Sequence, residues 1–118
     1  MEQTSLATLA DEQIAVARES HSGRAAHTVY GGHEHALRQT LIALVAGQEL
    51  AEHESPGEAT LQVLRGHVRL SSGAESWEGR TGDYAVIPPD RHALAALEDS
   101  VVLLTVATGQ PRAGREDG

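Results

Sequence analysis

Cysteine, phenylalanine and lysine are all missing from this 118-residue chain, and each absence closes a chemistry. Without cysteine there is no disulfide scaffold, no thiolate zinc site and no thiol nucleophile. Without lysine there is no lysine nucleophile and no phosphate loop ending in Gly-Lys-Ser/Thr. Aromatics are reduced to Tyr30, Trp77 and Tyr84, so the core is aliphatic, any ligand cavity is lined mostly by Leu, Val, Ile and Ala, and a stacking platform for nucleobases is not expected. Positive charge is also scarce. Nine basic against 17 acidic residues give a net charge of −8, which repels phosphate backbones and anionic lipid surfaces. Nucleic acid and membrane are therefore poor partners. No stretch of about 18 apolar residues and no basic segment leading into an apolar run are present, so neither spanning nor export is expected, and the cytoplasm is the expected location.

What is there has the length of one domain with a real core. Leu6, Leu9, Ala10, Ile14 and Ala17 approximate the three-four spacing of one apolar helix face, predicting a helix over about Ser5–Ser20 that Gly23 stops. Beyond Arg24 the period changes. Short segments follow one another between turn residues: Arg24–Tyr30, Leu37–Ala46, Glu49–His53, Ala59–Leu64, Val68–Ser71, Ser76–Glu78, Tyr84–Ile87, Ala93–Leu97 and Val101–Ala107. Strands at this spacing predict an all-β sandwich or barrel. Leu37–Ala46 and Val101–Ala107 are apolar on both faces, so each needs two covers, the barrel interior on one side and the helix or a second subunit on the other. That surplus predicts a homodimer. The expected division is a helical arm at 1–23, a barrel at 24–108 and a disordered tail at 109–118, where little can be buried.

Two stretches carry more specific information. Gly47, His53 and Gly66 keep the spacing of a glycine, five residues, a histidine and a later glycine; Gly82, Pro88 and His92 keep that of a glycine, five residues, a proline and, after a short turn, a histidine. Over roughly Arg38 to Ala107 this resembles the paired motifs of the cupin family. The resemblance implies a double-stranded β-helix, the jelly-roll barrel, with a short N-terminal helix. It also implies a divalent metal gripped inside the barrel by the motif histidines and a glutamate. The chain departs from that pattern at two ligand positions. Ser55 stands where the second histidine belongs, and the glutamate register falls on Ala59 with Glu58 one place early.

Residues 53 and 55 of a strand share a face, but a serine hydroxyl is a poor transition-metal ligand beside imidazole. The candidate metal set is therefore His53, His92 and Glu58, the last needing a shifted turn after Pro56-Gly57, for a divalent transition metal of unspecified identity. Structural histidines bonded to their neighbours are the alternative. His33-Glu34-His35 offers a second His-x-His. If Gly47 joins two paired strands, His53 lies across from about Leu41, and His35 is on the order of 20 Å away at about 3.3 Å per residue. Those histidines then form a separate surface site or are plain solvent-facing imidazoles at a loop. His21 and His27 read as exposed or structural, and His67 as solvent-facing.

One of Gln39 and Thr40 must face inward by alternation, and a buried amide or hydroxyl needs a partner that a ligand could supply. Ser55 and Arg91 complete the candidate substrate pocket with Gln39, Arg91 as a cation for a carboxylate ligand. The function expected is small-molecule binding at a degenerate, weak divalent-metal site. The alternative is a divalent-metal cupin enzyme of oxygenase or isomerase type acting on a small organic substrate, and the sequence leaves catalysis open.

Overall fold

The computed structural model describes residues 1–32, 34–53 and 57–107, without the side chains of Glu52 and His53. His33, Ser55 and the expected tail at 109–118 lie outside the described residues. Helix α1 spans Leu6–Glu19, one residue inside each predicted end, because the two serines cap it. Ser5 is extended (φ −85°, ψ 108°) and its hydroxyl accepts the Thr8 N–H at 3.2 Å. That contact satisfies a donor the first turn cannot pair internally.

Nine strands follow: β1 (Arg24–Tyr30), β2 (Leu37–Leu44), β3 (Glu49–His53), β4 (Ala59–Arg65), β5 (His67–Ser72), β6 (Glu75–Arg80), β7 (Tyr84–Val86), β8 (His92–Ala96) and β9 (Ser100–Ala107). They form two antiparallel sheets, ordered β1-β2-β9-β4-β7 and β3-β8-β5-β6. The pairing is a set of nested hairpins. β5 pairs with β6, β4 with β7, β3 with β8 and β2 with β9, successive pairs alternating between the sheets. A long two-stranded ribbon wound in this way is a jelly roll, as expected.

One expectation is corrected here. Gly47 does not join paired strands: β2 pairs with β1 and β9, and β3 with β8. The chain crosses from one sheet to the other at Gly47, so His53 stands opposite His92 rather than Leu41.

The two covers inferred for β2 and β9 are both present within this chain. Leu44, Val102 and Val106 join Leu61, Val63, Val68, Leu70 and Leu94 in the interior between the sheets. Leu41, Ala43, Val101 and Leu103, which alternate with them, pack under Leu9, Ala10, Ile14 and Ala17 of the helix. Ala10 and Ala17 are 1% and 0% exposed; their small side chains let the helix lie close on the sheet. Each fully buried Leu or Ile here contributes ~1.5–3 kcal/mol. With the helix covering this face, Leu37, 40% exposed, is the one large apolar side chain of these two strands left open to solvent among the described residues. Among the described residues no helix is long and apolar enough to cross a membrane.

Polar clamps fix the helix at both ends. Arg65 pairs with Asp11 and donates to the Ala7 carbonyl at 3.1 Å. Arg18 Nε donates to Asp99 Oδ2 at 2.8 Å, and the Ala46 N–H donates to Asp99 Oδ1 at 2.9 Å. The Ala46 N–H, with the Arg18 guanidinium second, holds the Asp99 carboxyl below the ordinary aspartate value of 3.8. A depressed folded pKa gives stability that is complete above the unfolded value and is lost as pH falls through the folded one. Urea denaturation at pH 7 and pH 3 should therefore show a smaller acid-induced drop in midpoint for Asp99→Asn than for the parent. An equal drop in both would mean that Asp99 is not linked to folding.

Candidate functional site

Strand β8 alternates, with His92, Leu94 and Ala96 buried. Leu94 and Ala96 belong to the barrel interior, so His92 faces the same way and is 4% exposed. Burial of an imidazole requires partners. His92 Nδ1 lies 3.0 Å from the Asp90 carbonyl; a carbonyl can only accept, so Nδ1 carries the proton and Nε2 is the nitrogen with the lone pair in the neutral ring.

Across its sheet His92 has polar neighbours in one row. His53 is its register partner on β3. On the other side Ser71 pairs with Ala93, so Ser72 falls beside His92, and the Ser72 hydroxyl donates to the Arg91 carbonyl at 3.0 Å. Ser72 in turn pairs with Glu75 on β6. At about 4.8 Å per strand spacing, the His92 and Glu75 backbones are about 10 Å apart.

This row ends at a cleft of about 310 Å³ between the two sheets, where β6 and β7 are the end strands. Leu70, Trp77, Val86 and Pro88 supply its apolar lining, and Ser72, Glu75 and Ser76 its polar lining. Trp77 is half-buried against the barrel core. Its place depends on Gly79, two residues on and on the same face. A Cβ at Gly79 would collide with the indole Cη2 and sit 2.7 and 2.8 Å from Cζ3 and Cζ2. The benzo edge of the indole thus lies on the bare glycine backbone, a close approach that a residue without a Cβ permits.

The sequence-predicted residues scatter around this centre. Arg91 is exposed, and its carbonyl is held by Ser72. Glu58 is also exposed; Ala59, the next residue, is 3% exposed and packs in the interior. A carboxylate from position 58 would reach the interior only if that segment rearranged. Gln39 shares its face with Leu41, which packs under α1, so it lies on the helix side of the sheet. There it donates to Thr105 Oγ1 at 3.3 Å and lines a separate groove of about 430 Å³ with Tyr30 and Leu37. Thr40 is the member of the pair that shares the inward face with Ile42. Tyr30 meets His35 edge-on at 5.1 Å between ring centroids.

His67, expected to face solvent, is on the outer side of its sheet but largely covered there: its side chain is 13% exposed and its Nε2 lies 2.8 Å from Glu78 Oε1. Glu78 also accepts from Arg69 at 3.2 Å. These bonds, Arg69 first and His67 second, lower its pKa. This cluster lies on the outer face of its sheet, since Arg69 and Glu78 alternate with the inward Leu70 and Trp77.

A metal centre of the implied family type is not complete in these residues. His92 offers one imidazole, while Ala59 puts a methyl group where the resemblance implies a glutamate. No group of three His, Asp or Glu among the described residues could hold an ion. Catalytic zinc sites use three protein ligands.

Ser72, Glu75 and Trp77 belong to neither motif, yet the sequence carries a signal that groups them. Gly73-Ala74 is a two-residue turn. Counting outward from it pairs Ser72 with Glu75 and Leu70 with Trp77, and alternation sets all four on one face.

No family model and no curated protein matches this chain. Solved structures do. A conserved protein of unknown function from Streptococcus pyogenes aligns over 78% of this chain and 80% of its own, with 28% identity and a TM-score of 0.69. An RmlC-like cupin from Desulfovibrio desulfuricans aligns over 92% and 97%, with 23% identity and a TM-score of 0.69. KdgF from a Halomonas species aligns over 74% and 82%, with 20% identity and a TM-score of 0.64.

Proposed function

Because this chain is a cupin by fold, we propose that it binds a small organic molecule in the cleft between β6 and β7, next to His92. The observation that carries this reading is the cleft itself. About 310 Å³ of mixed apolar and hydroxyl-lined space opens at the end of a polar row containing a buried imidazole. Binding sites for small molecules are concave, largely apolar and furnished with a few placed polar groups. Ser72 joins cleft and imidazole, lining the cleft and standing beside His92 across the sheet.

A second reading, a divalent-metal enzyme, is favoured by one observation: His53 and His92, both in the family's register, are cross-strand partners. Two imidazoles would hold a transition metal weakly, and Glu58 would add a carboxylate only after local rearrangement. Metal content of untagged protein, followed by competition against a chelator of known affinity, separates the two. For the binding reading the expected result is substoichiometric metal and weak affinity. On the enzyme reading His53→Ala and His92→Ala each abolish metal binding, whereas His33→Ala and His35→Ala leave it unchanged, and affinity weakens with acid because ligating imidazoles must be neutral.

A further inference from the structure

We propose that the β6–β7 cleft selects a small organic cation, an alkylammonium or quaternary ammonium compound; this rests on the reading of the cleft as the ligand site. Glu75 is the one charged side chain among the described residues lining it. The contrast with Glu78 on the same strand is direct. Glu78 faces outward and is engaged by His67 and Arg69. Glu75 faces the cleft and takes part in no ion pair among the described residues, so its carboxylate is available to a ligand.

Trp77 supplies the second element of cation recognition. It is on the same face as Glu75, about 7 Å along the strand, and is fixed in place by its packing on Gly79. An indole is the best side-chain partner for a cation, attracting it through the ring quadrupole. Leu70 and Val86 add apolar surface for the alkyl groups, and the Ser72 hydroxyl sits beside them. A carboxylate and an indole on one apolar wall match a charged nitrogen carrying carbon substituents. The net charge of −8 favours a cationic ligand at long range. An anionic ligand would meet Glu75 as a like charge.

Trp77 is the sole tryptophan of the chain, so its fluorescence reports on this cleft alone. The test titrates the full chain with choline, with its neutral carbon isostere 3,3-dimethylbutan-1-ol and with the anion 3,3-dimethylbutanoate. Choline should give a saturable change, the alcohol should bind at least tenfold more weakly, and the anion should give no saturable change. Glu75→Gln should weaken choline at least fivefold and leave the alcohol unchanged, while Glu78→Gln, which removes the same charge from the outer face, should leave choline unchanged. If the alcohol or the anion binds as tightly as choline, or if Glu75→Gln has no effect, the cation assignment is overturned and the cleft remains a ligand site. If none of the three perturbs Trp77 saturably, both the assignment and the reading it rests on fall.

Discussion

Gly66→Ala should destabilise the protein by about 2–5 kcal/mol, whereas Gly47→Ala should cost about 1–2 kcal/mol, through the left-handed backbone alone. Both glycines belong to the family-like spacing and both have left-handed backbones, with φ of +92° and +91°. Their surroundings differ. Nothing lies within 4 Å of a Cβ placed at Gly47, but one at Gly66 would collide with Ser100 Oγ and the Asp99 carbonyl and sit 2.8 Å from Ser100 Cα. These neighbours cannot step aside cheaply. Ser100 is 1% exposed, accepts the His67 N–H at 3.0 Å and donates to the Glu98 carbonyl at 2.7 Å. Overpacking of this kind adds about 1–3 kcal/mol to the backbone strain. Against a total stability of ~5–15 kcal/mol, such a loss is large. Urea denaturation of the two variants beside the parent checks it, and equal midpoints would show that the Gly66–Ser100 contact yields without cost.

Ser55→His combined with Ala59→Glu should tighten divalent-metal binding at least tenfold, about 1.4 kcal/mol. The same double variant should be less stable than the parent without metal. Position 59 packs among the interior residues, and a carboxylate buried there without a partner costs several kcal/mol or takes up a proton. Metal that binds the folded state returns stability by mass action. The expected signature is a Tm below the parent's in chelator and a rise on adding zinc that exceeds the parent's rise. If the double variant binds zinc no better than the parent, the register drawn through Gly47, Gly66, Gly82 and Pro88 does not bring positions 55 and 59 to His53 and His92.

Local chemistry was enough to place nearly every element. The three-four spacing of Leu9, Ala10, Ile14 and Ala17 defined the helix. Glycine turns bounded the strands, so that β1 and β3 were predicted to the residue and the others to within two. Double-sided apolar runs at β2 and β9 foretold a cover on each face. These are properties of neighbours in sequence, fixed by backbone periodicity and by residues that tolerate positive φ.

The partners of each strand were a different matter. A turn at Gly47 looks the same whether the chain doubles back in one sheet or crosses to the other, and the nested pairing of a jelly roll is set by contacts between residues tens of positions apart. That choice decided the site. It brought His53 opposite His92 and turned Gln39 to the helix side. It also set Ser72 and Glu75 in line with the buried imidazole. From the sequence alone came the fold family, the lack of cysteine and lysine chemistry, the net negative charge and the two motif histidines. Tertiary structure alone decided which cavity the β5–β6 hairpin face lines and that His53 meets His92, because facing across a barrel depends on how two sheets close over one another, and no local pattern encodes that.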